Sequence, residues 1–572
     1  MTGTIVPGQL PVRGLNYRDP PARQMPDDAF ALVNALSDSG GITLRNGYQE
    51  YATNVPGETI GTIMSYYPAT SASLPSPAAL PQSVVTRRRQ LQPTLQNVVI
   101  DGLLFAAAGN RIFNITGGGA GPWVPQSGTY PSNYWTWRNF QNAAGNFLIA
   151  VNDLGSYIIY GGAGFSSGFS SGFRISQTGF QRVSAASVTG VNPDTFCHVT
   201  VWKRRLWFTE IRSTRAWYLP PEQLGGEARQ FDFGPLFRHG GHLVSINSWT
   251  MDGGEGLDDY LVALSSEGDV VIYKGYDPDS AATDPSAFQL HGIWYIGALP
   301  KGRRQTDPYG GDLYILSRQG INQVSKLVSM AQVAESLVGD NGDRIDPYIA
   351  NLMKNSADED GWYFKSLPSE QMIIVGIPEQ LTGEGPTQLG FKLRESAWSL
   401  LYGLPVTCWT NHDGHIFAGG LPTTPIDGQG KVFVMFENST DGAALDNALG
   451  ALVKARITPA YSAMGSPGML KRFPMIRPTV LTQFTPGLEI TILENYEDTV
   501  NFNVPTLPSI ESARWNIDKW NHALWSGPLR PIQKWLGTHG DGYTATVQLD
   551  IVGLGGTTLT GIDWWVVAGG PL

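Results

Sequence analysis

Two pairs of histidines are spaced closely enough to suggest a metal site. His412 and His415 flank an Asp-Gly dipeptide, and His239 and His242 flank two glycines. Imidazole nitrogens bind many metals, but a closed site needs about four donors and a catalytic one about three. Each pair falls at a predicted turn and lacks a suitable third ligand nearby. Both pairs therefore favour tight turns over metal centres.

Acidic and glycine-rich segments form a second group of candidates. Residues 340–346 and 358–361 have the composition of calcium-binding loops, yet they lack the alternating ligand spacing and the closing glutamate of an EF-hand. We interpret them as solvated acidic loops. Residues 117–119 and 164–173 are rich in glycine, but neither segment joins a strand to a helix, as phosphate-binding loops do. They are predicted to be flexible loops.

Basic and aromatic side chains could contact a partner directly. Arg87, Arg88 and Arg89 lie in a proline-rich stretch, where they could contact DNA or an acidic subunit; a solvated run of charge is the alternative. Five tryptophans could stack on sugars or bases, although aromatic residues of strands usually pack in a core. They are Trp202, Trp207, Trp217, Trp564 and Trp565. No catalytic residue, metal ligand or cofactor site is predicted from this survey.

The composition indicates the fold class that must position these residues. The 572 residues include 68 glycines and 39 prolines, and only 15% are charged, which favours turns over long solvated helices. Seventeen Trp, 22 Tyr and 23 Phe add residues that prefer strands, so the sequence predicts an all-β protein. The net charge of −10 argues against general affinity for phosphate backbones. Two distant cysteines, Cys197 and Cys408, are expected to be free thiols.

Pairs of short apolar runs joined by a polar turn recur along the chain, which is typical of antiparallel hairpins. The first pair turns at Asp101-Gly102, a dipeptide that suits a tight hairpin turn. The paired runs are 98–100 with 103–105, 147–151 with 157–160, 199–202 with 206–208, 260–264 with 270–273, 313–316 with 321–324, 362–364 with 372–375, and 409 with 416–417. Residues 391–393 and 397–401 are predicted outer strands.

The spacing of these hairpins predicts a β-propeller. Turn centres at 101, 153, 204, 267, 318, 368 and 413 are separated by 45 to 63 residues. A four-stranded propeller blade occupies about 40–50 residues, and propellers have roughly four to eight blades. We therefore expect about six to eight blades, closed into a ring. The alternative is an all-β chain of another architecture, since hairpins occur in all such folds.

The chain divides into an N-terminal arm (1–60), a propeller (61–450) and a C-terminal β-domain (451–572). The arm contains a predicted short helix at 26–36 with acidic residues in its first turn. Residues 68–96 are rich in proline and serine and are predicted to form a loop. The C-terminal domain has alternating strands at 488–493 and 544–550. A last strand at 562–567 is a candidate to close the ring with 41–44.

The arm and the hairpin array together resemble the tail nozzle or tail hub proteins of short-tailed bacteriophages, including the packaged-DNA-stabilisation type. The residues that carry the resemblance are Gly14 to Pro21, Asn34, and Leu44 to Tyr48, followed by a first blade at 98–113. The similarity has some specificity over residues 1–120 and is one of architecture over 121–450. For the last 120 residues nothing comparable stands out.

The resemblance implies a structural virion protein that is not an enzyme. Six copies would form a ring below the portal and adaptor, and DNA would pass through the channel without sequence-specific contacts. Tail fibres, spikes or a needle are the expected neighbours. The protein would be assembled in the host cytoplasm, since the sequence has no apparent signal peptide or long apolar run.

The predicted docking residues are Arg13, Arg18 and Arg23, because extended polar segments commonly become ordered on binding. Arg87, Arg88 and Arg89 are the predicted DNA or subunit contacts. Two alternatives from other functional classes stay open. One is a propeller hydrolase that acts on glycans, and the other is a carbohydrate-binding tail protein.

Overall fold

The computed structural model describes eleven segments of the chain. They are residues 3–57, 59–68, 101–161, 179–252, 257–329, 344–378, 387–420, 429–443, 450–483, 485–496 and 529–569. Strands account for most of the described residues, which confirms the all-β prediction.

The N-terminal segment forms five strands before the first blade begins. They are β1 (Thr4–Gly8), β2 (Ala29–Val33), β3 (Ala35–Asp38), β4 (Gly41–Leu44) and β5 (Gly47–Pro56).

The helix predicted at 26–36 is wrong, because β2 and β3 occupy most of that range. Asn34, with a φ of 54°, makes the left-handed kink between them. Strand β2 pairs with a C-terminal strand, and this tertiary pairing overrides the local acidic signal for a helix start.

Four small antiparallel sheets follow as blades 1 to 4. Blade 1 contains β6 (Ile60–Tyr66), β7 (Leu103–Ala108) and β8 (Arg111–Asn114). Blade 2 contains β9 (Trp135–Asn142), β10 (Gly145–Asn152), β11 (Tyr157–Gly161) and β12 (Gln181–Arg182). After the short β13 (Val188–Thr189), blade 3 contains β14 (Phe196–Trp202), β15 (Arg205–Glu210), β16 (Arg215–Tyr218) and, beyond β17 (Gly226–Glu227), β18 (Arg229–Asp232). Blade 4 contains β19 (Leu243–Asp252), β20 (Leu257–Ser265), β21 (Asp269–Gly275) and β22 (Phe288–Tyr295).

Three further blades complete the array. Blade 5 contains β23 (Thr306–Tyr309), β24 (Asp312–Ser317) and β25 (Gly320–Gln323), and is followed by helices α1 (Val324–Ser329) and α2 (Asp346–Ser356). Blade 6 contains β26 (Tyr363–Leu367), β27 (Met372–Ile377), β28 (Thr387–Lys392) and β29 (Ala397–Tyr402). Blade 7 contains β30 (Val406–His412), β31 (His415–Gly420) and β32 (Gln429–Asn438), with β5 as its outer strand and β33 (Asp441–Ala443) paired to β5.

Seven apolar clusters, counted over the described residues, join each blade to the next around a closed ring. Alternate residues of one strand face opposite neighbours: Leu148 and Ala150 pack towards blade 1, whereas Ile149 and Val151 pack towards blade 3. Because both faces of a blade are buried, its middle strands are continuous apolar runs. The last cluster joins blade 7 to blade 1. The fold is therefore a β-propeller, as predicted, and seven blades fall within the expected range.

Strand β5 closes the ring. It pairs antiparallel with β32 of blade 7, and the chain then enters β6, the inner strand of blade 1. The predicted closure of the ring by residues 562–567 with 41–44 is wrong, because Ile42 and Thr43 pair with Leu559 and Thr558, elsewhere in β41 and outside the propeller. The ring is thus closed by an N-terminal strand, which leaves blade 7 no open outer edge beside β32.

The remaining strands form a C-terminal β-domain of two packed sheets. They are β34 (Val453–Pro459), β35 (Lys471–Thr482), β36 (Gly487–Glu494), β37 (Arg530–Gln533), β38 (Leu536–Gly537), β39 (Asp541–Gly542), β40 (Ala545–Gly553) and β41 (Thr558–Ala568). One sheet has the order β2-β34-β40-β36, and the other has the order β3-β4-β41-β35-β37 with β1 along β41. Both sheets contribute to one apolar cluster that continues into blade 6. The N-terminal arm therefore lies within and along the C-terminal domain.

Six of the seven predicted hairpins are confirmed by strand pairs: β10 with β11, β14 with β15, β20 with β21, β24 with β25, β26 with β27, and β30 with β31. The strands predicted at 391–393 and 397–401 overlap β28 and β29, and those predicted at 488–493 and 544–550 correspond to β36 and β40, so these four strands are confirmed as well. For the first hairpin, residues 98–100 lie outside the described residues. Strand β7 pairs with β6 and β8, and its turn to β8 lies at Gly109 and Asn110.

Candidate functional site

The predicted docking residues lie on a surface loop between β1 and β2. Arg23 is exposed at the end of a short 3₁₀ turn, Pro21–Arg23. Arg18 forms two hydrogen bonds with the carboxylate of Asp19, at 3.2 and 3.1 Å. Arg13 is half-buried, and its guanidinium lies 3.8 Å from Asp27. All three arginines therefore lie on the loop between β1 and β2, and Arg18 and Arg23 are exposed.

Asn16 holds the shape of this loop. Its side-chain oxygen accepts hydrogen bonds from the backbone N–H groups of Arg18 and Asp19, both at 3.1 Å. Its amide donates to Asp19 at 2.9 Å and to buried Asp28 at 2.7 Å. The hydrogen bonds from Arg18 and Asn16 lower the pKa of Asp19 below its usual value. Asp19 therefore stays ionised and offsets part of the positive charge of the loop.

A buried ion pair attaches the loop to the propeller. Arg344, just before α2, donates to Asp28 at 2.9 Å, and the two side chains are 3% and 0% exposed. The backbone N–H of Tyr17 donates to the carbonyl of Arg344 at 2.8 Å, and the rings of Tyr17 and Tyr348 stack at 4.6 Å. Separating the partners of a buried ion pair strongly destabilises the folded protein. The pair of Arg344 and Asp28 therefore holds the loop in this position.

A second buried network connects the two lobes of the molecule, which are the propeller and the C-terminal domain. We call this network the joint; its central residue is Arg45, which is 1% exposed. Its guanidinium donates to both carboxylate oxygens of Asp441, at 2.7 and 2.8 Å, and to the side chain of Asn34 at 2.8 Å. Asn34 also accepts from the backbone of Tyr402 in blade 6 and donates to the carbonyl of Lys454 in the C-terminal domain. Three parts of the chain that are distant in sequence therefore meet at one point.

The histidine pairs make separate contacts instead of sharing a ligand. His412 Nδ1 lies 2.7 Å from the hydroxyl of Ser65, and His415 Nδ1 lies 2.5 Å from Glu437. His239 Nδ1 lies 2.7 Å from Asp269. Over the described ranges, no group of three potential metal ligands occurs. Asp413 and Gly414 both have positive φ, at 49° and 79°, in the tight turn that the Asp-Gly sequence predicts.

The other candidates have mixed outcomes. Arg87, Arg88, Arg89, the glycine-rich tract 164–173 and residues 340–343 lie outside the described residues. Asp358 and Asp360 are exposed and pair with Arg318 and Lys301. Trp202, Trp207, Trp217 and Trp564 are buried, as core packing predicts.

Trp565 differs from its neighbour Trp564, because it is half-exposed on the outer face of the C-terminal domain. Its ring lies 6.1 Å from that of Trp535 in an edge-to-face arrangement. The guanidinium of Arg477 lies 5.0 Å from the centre of the Trp535 ring. An aromatic pair of this kind can stack on a planar or sugar ring.

Sequence reasoning missed one partner in each of the two buried ion pairs. Arg45 and Asn34 belong to the resemblance and Asp28 to the predicted helix, but Asp441 and Arg344 were not singled out. The signal for Asp441 is its position after the last propeller strand, but nothing local indicates that its partner is about 400 residues earlier. No helix among the described residues is long and apolar enough to span a membrane.

No protein-family model matches this chain, and no curated protein matches it. Several solved structures show a distant likeness. Raptor from Chaetomium thermophilum is 10% identical with a TM-score of 0.36; the match covers 68% of this chain, which spans 29% of the length of Raptor. BBS1N in complex with ARL6DN is 10% identical with a TM-score of 0.34, covering 59% of this chain and 88% of that one. YCF48 bound to the D1 peptide is 9% identical with a TM-score of 0.32, covering 58% and 88%. These scores are too low to support any functional statement, and the propeller is assigned from its sheets and clusters.

Proposed function

We propose that this protein is a structural virion subunit, the nozzle or hub of a short-tailed bacteriophage tail. In this proposal, six copies form a ring that extends the DNA exit channel below the portal and adaptor, and tail fibres, spikes or a needle attach to it. The ring helps to retain the genome and then to release it. The protein is located in the virion tail and has no catalytic role.

The observation that carries the proposal is the joint between the two lobes. Asn16, Asn34 and Arg45 belong to the residues on which the resemblance rests, and each of them forms a buried or half-buried contact that fixes the arm. A rigid joint suits a subunit that bears load during DNA ejection. The loop with Arg13, Arg18 and Arg23 then offers a fixed polar surface, with Arg18 and Arg23 exposed, for a neighbouring subunit or for the ring above.

Electron microscopy of the purified protein tests the ring directly. We expect negatively stained particles with sixfold symmetry, either for the protein alone or after addition of the adaptor ring. A monomer that remains monomeric with the adaptor and cleaves polysaccharide would overturn the proposal. A trimeric spike would overturn it as well.

Alanine substitution of Arg13, Arg18 and Arg23 together tests the docking loop within the same experiment. We expect fewer assembled tails, with an unfolding midpoint close to that of the wild type, because exposed ion pairs contribute about 0–1 kcal/mol each. The matched control replaces three exposed, surface-paired arginines elsewhere: Arg182, Arg394 and Arg472. Normal tails from the first variant, or equal losses in both, would reject the docking role.

The half-exposed pair of Trp535 and Trp565 favours a second candidate, a carbohydrate-binding tail protein. Aromatic platforms of this kind commonly bind the apolar face of a sugar. If this candidate is correct, Trp565→Ala abolishes binding to host surface glycans on an array. The ring proposal predicts that assembly is unchanged in this variant, so the two functions can be separated.

A further inference from the structure

The innermost strands of the propeller carry basic side chains around the central axis. These residues are Arg138 in β9, Arg303 and Arg304 just before β23, and Lys365 in β26. The carboxylate of Asp307 in β23 lies among them.

Arg304 reaches across the axis from one side of the ring to another. Its carbonyl accepts a hydrogen bond from the backbone of Phe364 in blade 6, at 2.7 Å. Its guanidinium donates to the carbonyl of Gly61 and the hydroxyl of Thr62 in blade 1, both at 2.7 Å. Arg303 donates to the carbonyl of Val244 in blade 4 at 2.5 Å. Arg304 therefore reaches from blade 5 to blade 1, which is not adjacent to it, whereas Arg303 contacts the adjacent blade 4 near the start of β19.

The carboxylate of Asp307 already accepts hydrogen bonds from neighbouring residues of blade 6. Lys365 Nζ lies 3.0 Å from each of its carboxylate oxygens. The backbone N–H and the hydroxyl of Ser366 donate to the same carboxylate at 2.9 and 2.5 Å. Little of its hydrogen-bonding capacity is left for the arginines of the axis.

Arg138 has a poorer set of partners. Its guanidinium donates to the carbonyl of Trp137 at 2.9 Å. Burial lowers the pKa of Arg138, and Asp307 opposes this effect from blade 5. Blades 2 and 5 are not neighbours in the ring, so this coupling acts across the axis. The side chain of Arg138 is half-buried, and no carboxylate among the described residues forms an ion pair with it, so a bound anion could supply the missing partner for its free N–H groups.

His198 in β14 lies beside the same cations. Its side chain is 2% exposed, and its Nδ1 has no hydrogen-bond partner among the described residues. Burial lowers the pKa of His198, and the positive charges of Arg138 and Arg303 lower it further. A neutral imidazole can donate or accept one hydrogen bond from each nitrogen, so Nδ1 is available to a ligand.

We propose that the axial cluster of Arg138, His198, Arg303, Arg304 and Lys365 binds a small tetrahedral oxyanion of the phosphate or sulfate class. Guanidinium groups offer paired N–H donors that match two oxygens of such an anion, which a chloride ion cannot satisfy. This inference does not depend on the proposed tail function.

Calorimetric titration of the full chain with inorganic phosphate, and separately with sulfate, tests the site. The protein is first dialysed into a chloride buffer of constant ionic strength. We expect saturable binding of at least one of the two anions, with a matching rise in Tm, because a ligand that binds the folded state stabilises it. No saturable binding of either anion to the wild type would overturn the proposal.

Arg138→Gln should weaken the anion affinity at least tenfold. The control Arg182→Gln removes an exposed arginine from the outer strand of the same blade and should leave the affinity unchanged. Equal affinity in both variants would also overturn the proposal. If Arg138→Gln does not fold, Arg138→Lys serves in its place, since it keeps the charge and loses the paired donors. Binding of an oligothymidylate with no binding of phosphate or sulfate would assign the cluster to nucleic acid instead.

Discussion

His412 and His415 show how strongly the environment of a residue decides its chemistry. They are three residues apart and pair directly across the turn between β30 and β31. Burial lowers the pKa of His412, whereas the hydrogen bond that His415 donates to Glu437 raises the pKa of His415. Their spacing suggested a shared metal, but the structure gives them separate partners and opposite shifts. At the residue scale, spacing in the sequence therefore says little about ionisation.

His198 provides a testable pH dependence at this scale. Its pKa is depressed in the folded protein, so below pH of about 6.5 the unfolded chain binds a proton that the folded chain does not. The free energy of unfolding should therefore fall as the pH drops through this range. The cations that face His198 are Arg138 and Arg303, and both disfavour its protonation in the folded state.

Replacing His198 with Gln should reduce this acid sensitivity. Between pH 7 and pH 5, we expect the wild type to lose up to about 1.4 kcal/mol per pH unit more than the variant. Urea unfolding in a phosphate-free buffer measures the difference. Near pH 8, His198 is neutral in both the folded and the unfolded chain. There the difference in the free energy of unfolding between the two proteins should no longer change with pH. Parallel curves for the two proteins from pH 8 to pH 5 would contradict the assignment.

At the scale of elements, the hairpins follow from local sequence and the closure does not. Each confirmed hairpin joins two runs only a few residues apart, so the turn residues and the apolar pattern specify it. Strand β5, in contrast, pairs with β32, more than 370 residues later in the chain. Its residues Tyr51, Ala52 and Val55 pack in the cluster between blades 7 and 1. The closing strand is therefore recognised by its tertiary partners.

A charge placed on the buried face of β5 should open the ring. Ala52 is fully buried opposite Val432, so Ala52→Asp introduces a carboxylate that has no partner there. We expect a loss of at least about 3 kcal/mol in the free energy of unfolding, measured by urea denaturation. Asn54→Asp is the matched control, because it adds the same charge at an exposed position of β5. Similar stabilities for the two variants would show that β5 does not close the ring.

At the scale of the whole molecule, the propeller and the C-terminal domain form one continuous body. Strand β2 joins a sheet of the domain to blade 6 through the pairing of Val33 with Leu400. One apolar cluster includes residues of blade 6, helix α2 and both sheets of the domain. The network around Arg45 then links the end of β4 to β33 beside blade 7. We therefore expect the two lobes to unfold together.

Asp441→Ala tests that coupling. The change leaves Arg45 buried without its counter-ion and should cost about 3–5 kcal/mol. Asp541→Ala is the matched control, since it breaks the exposed pair with Arg472 and should cost about 0–1 kcal/mol. Urea unfolding followed by tryptophan fluorescence measures both variants. A loss confined to the control range in Asp441→Ala would refute the role of the joint.

The amino-acid sequence by itself determined the all-β class, the repeated hairpins and the approximate blade spacing. These properties depend on turns and alternation between residues that are close in the chain, so local physical chemistry specifies them. The sequence also indicated an extended polar segment around Arg13, Arg18 and Arg23, because polar residues and prolines surround these positions.

Only the tertiary structure decided how the ring closes, that residues 29–38 are strands, and which residues meet at the joint and on the axis. Arg45 contacts Asp441, and Asp307 affects the pKa of Arg138, only after distant segments have packed together. Contacts of this kind depend on burial by neighbours that are remote in sequence, and burial sets both the strength of an ion pair and the pKa of a side chain. The local sequence pattern does not specify which distant residues surround a side chain. The joint and the axial cluster could therefore not be identified before the fold was known.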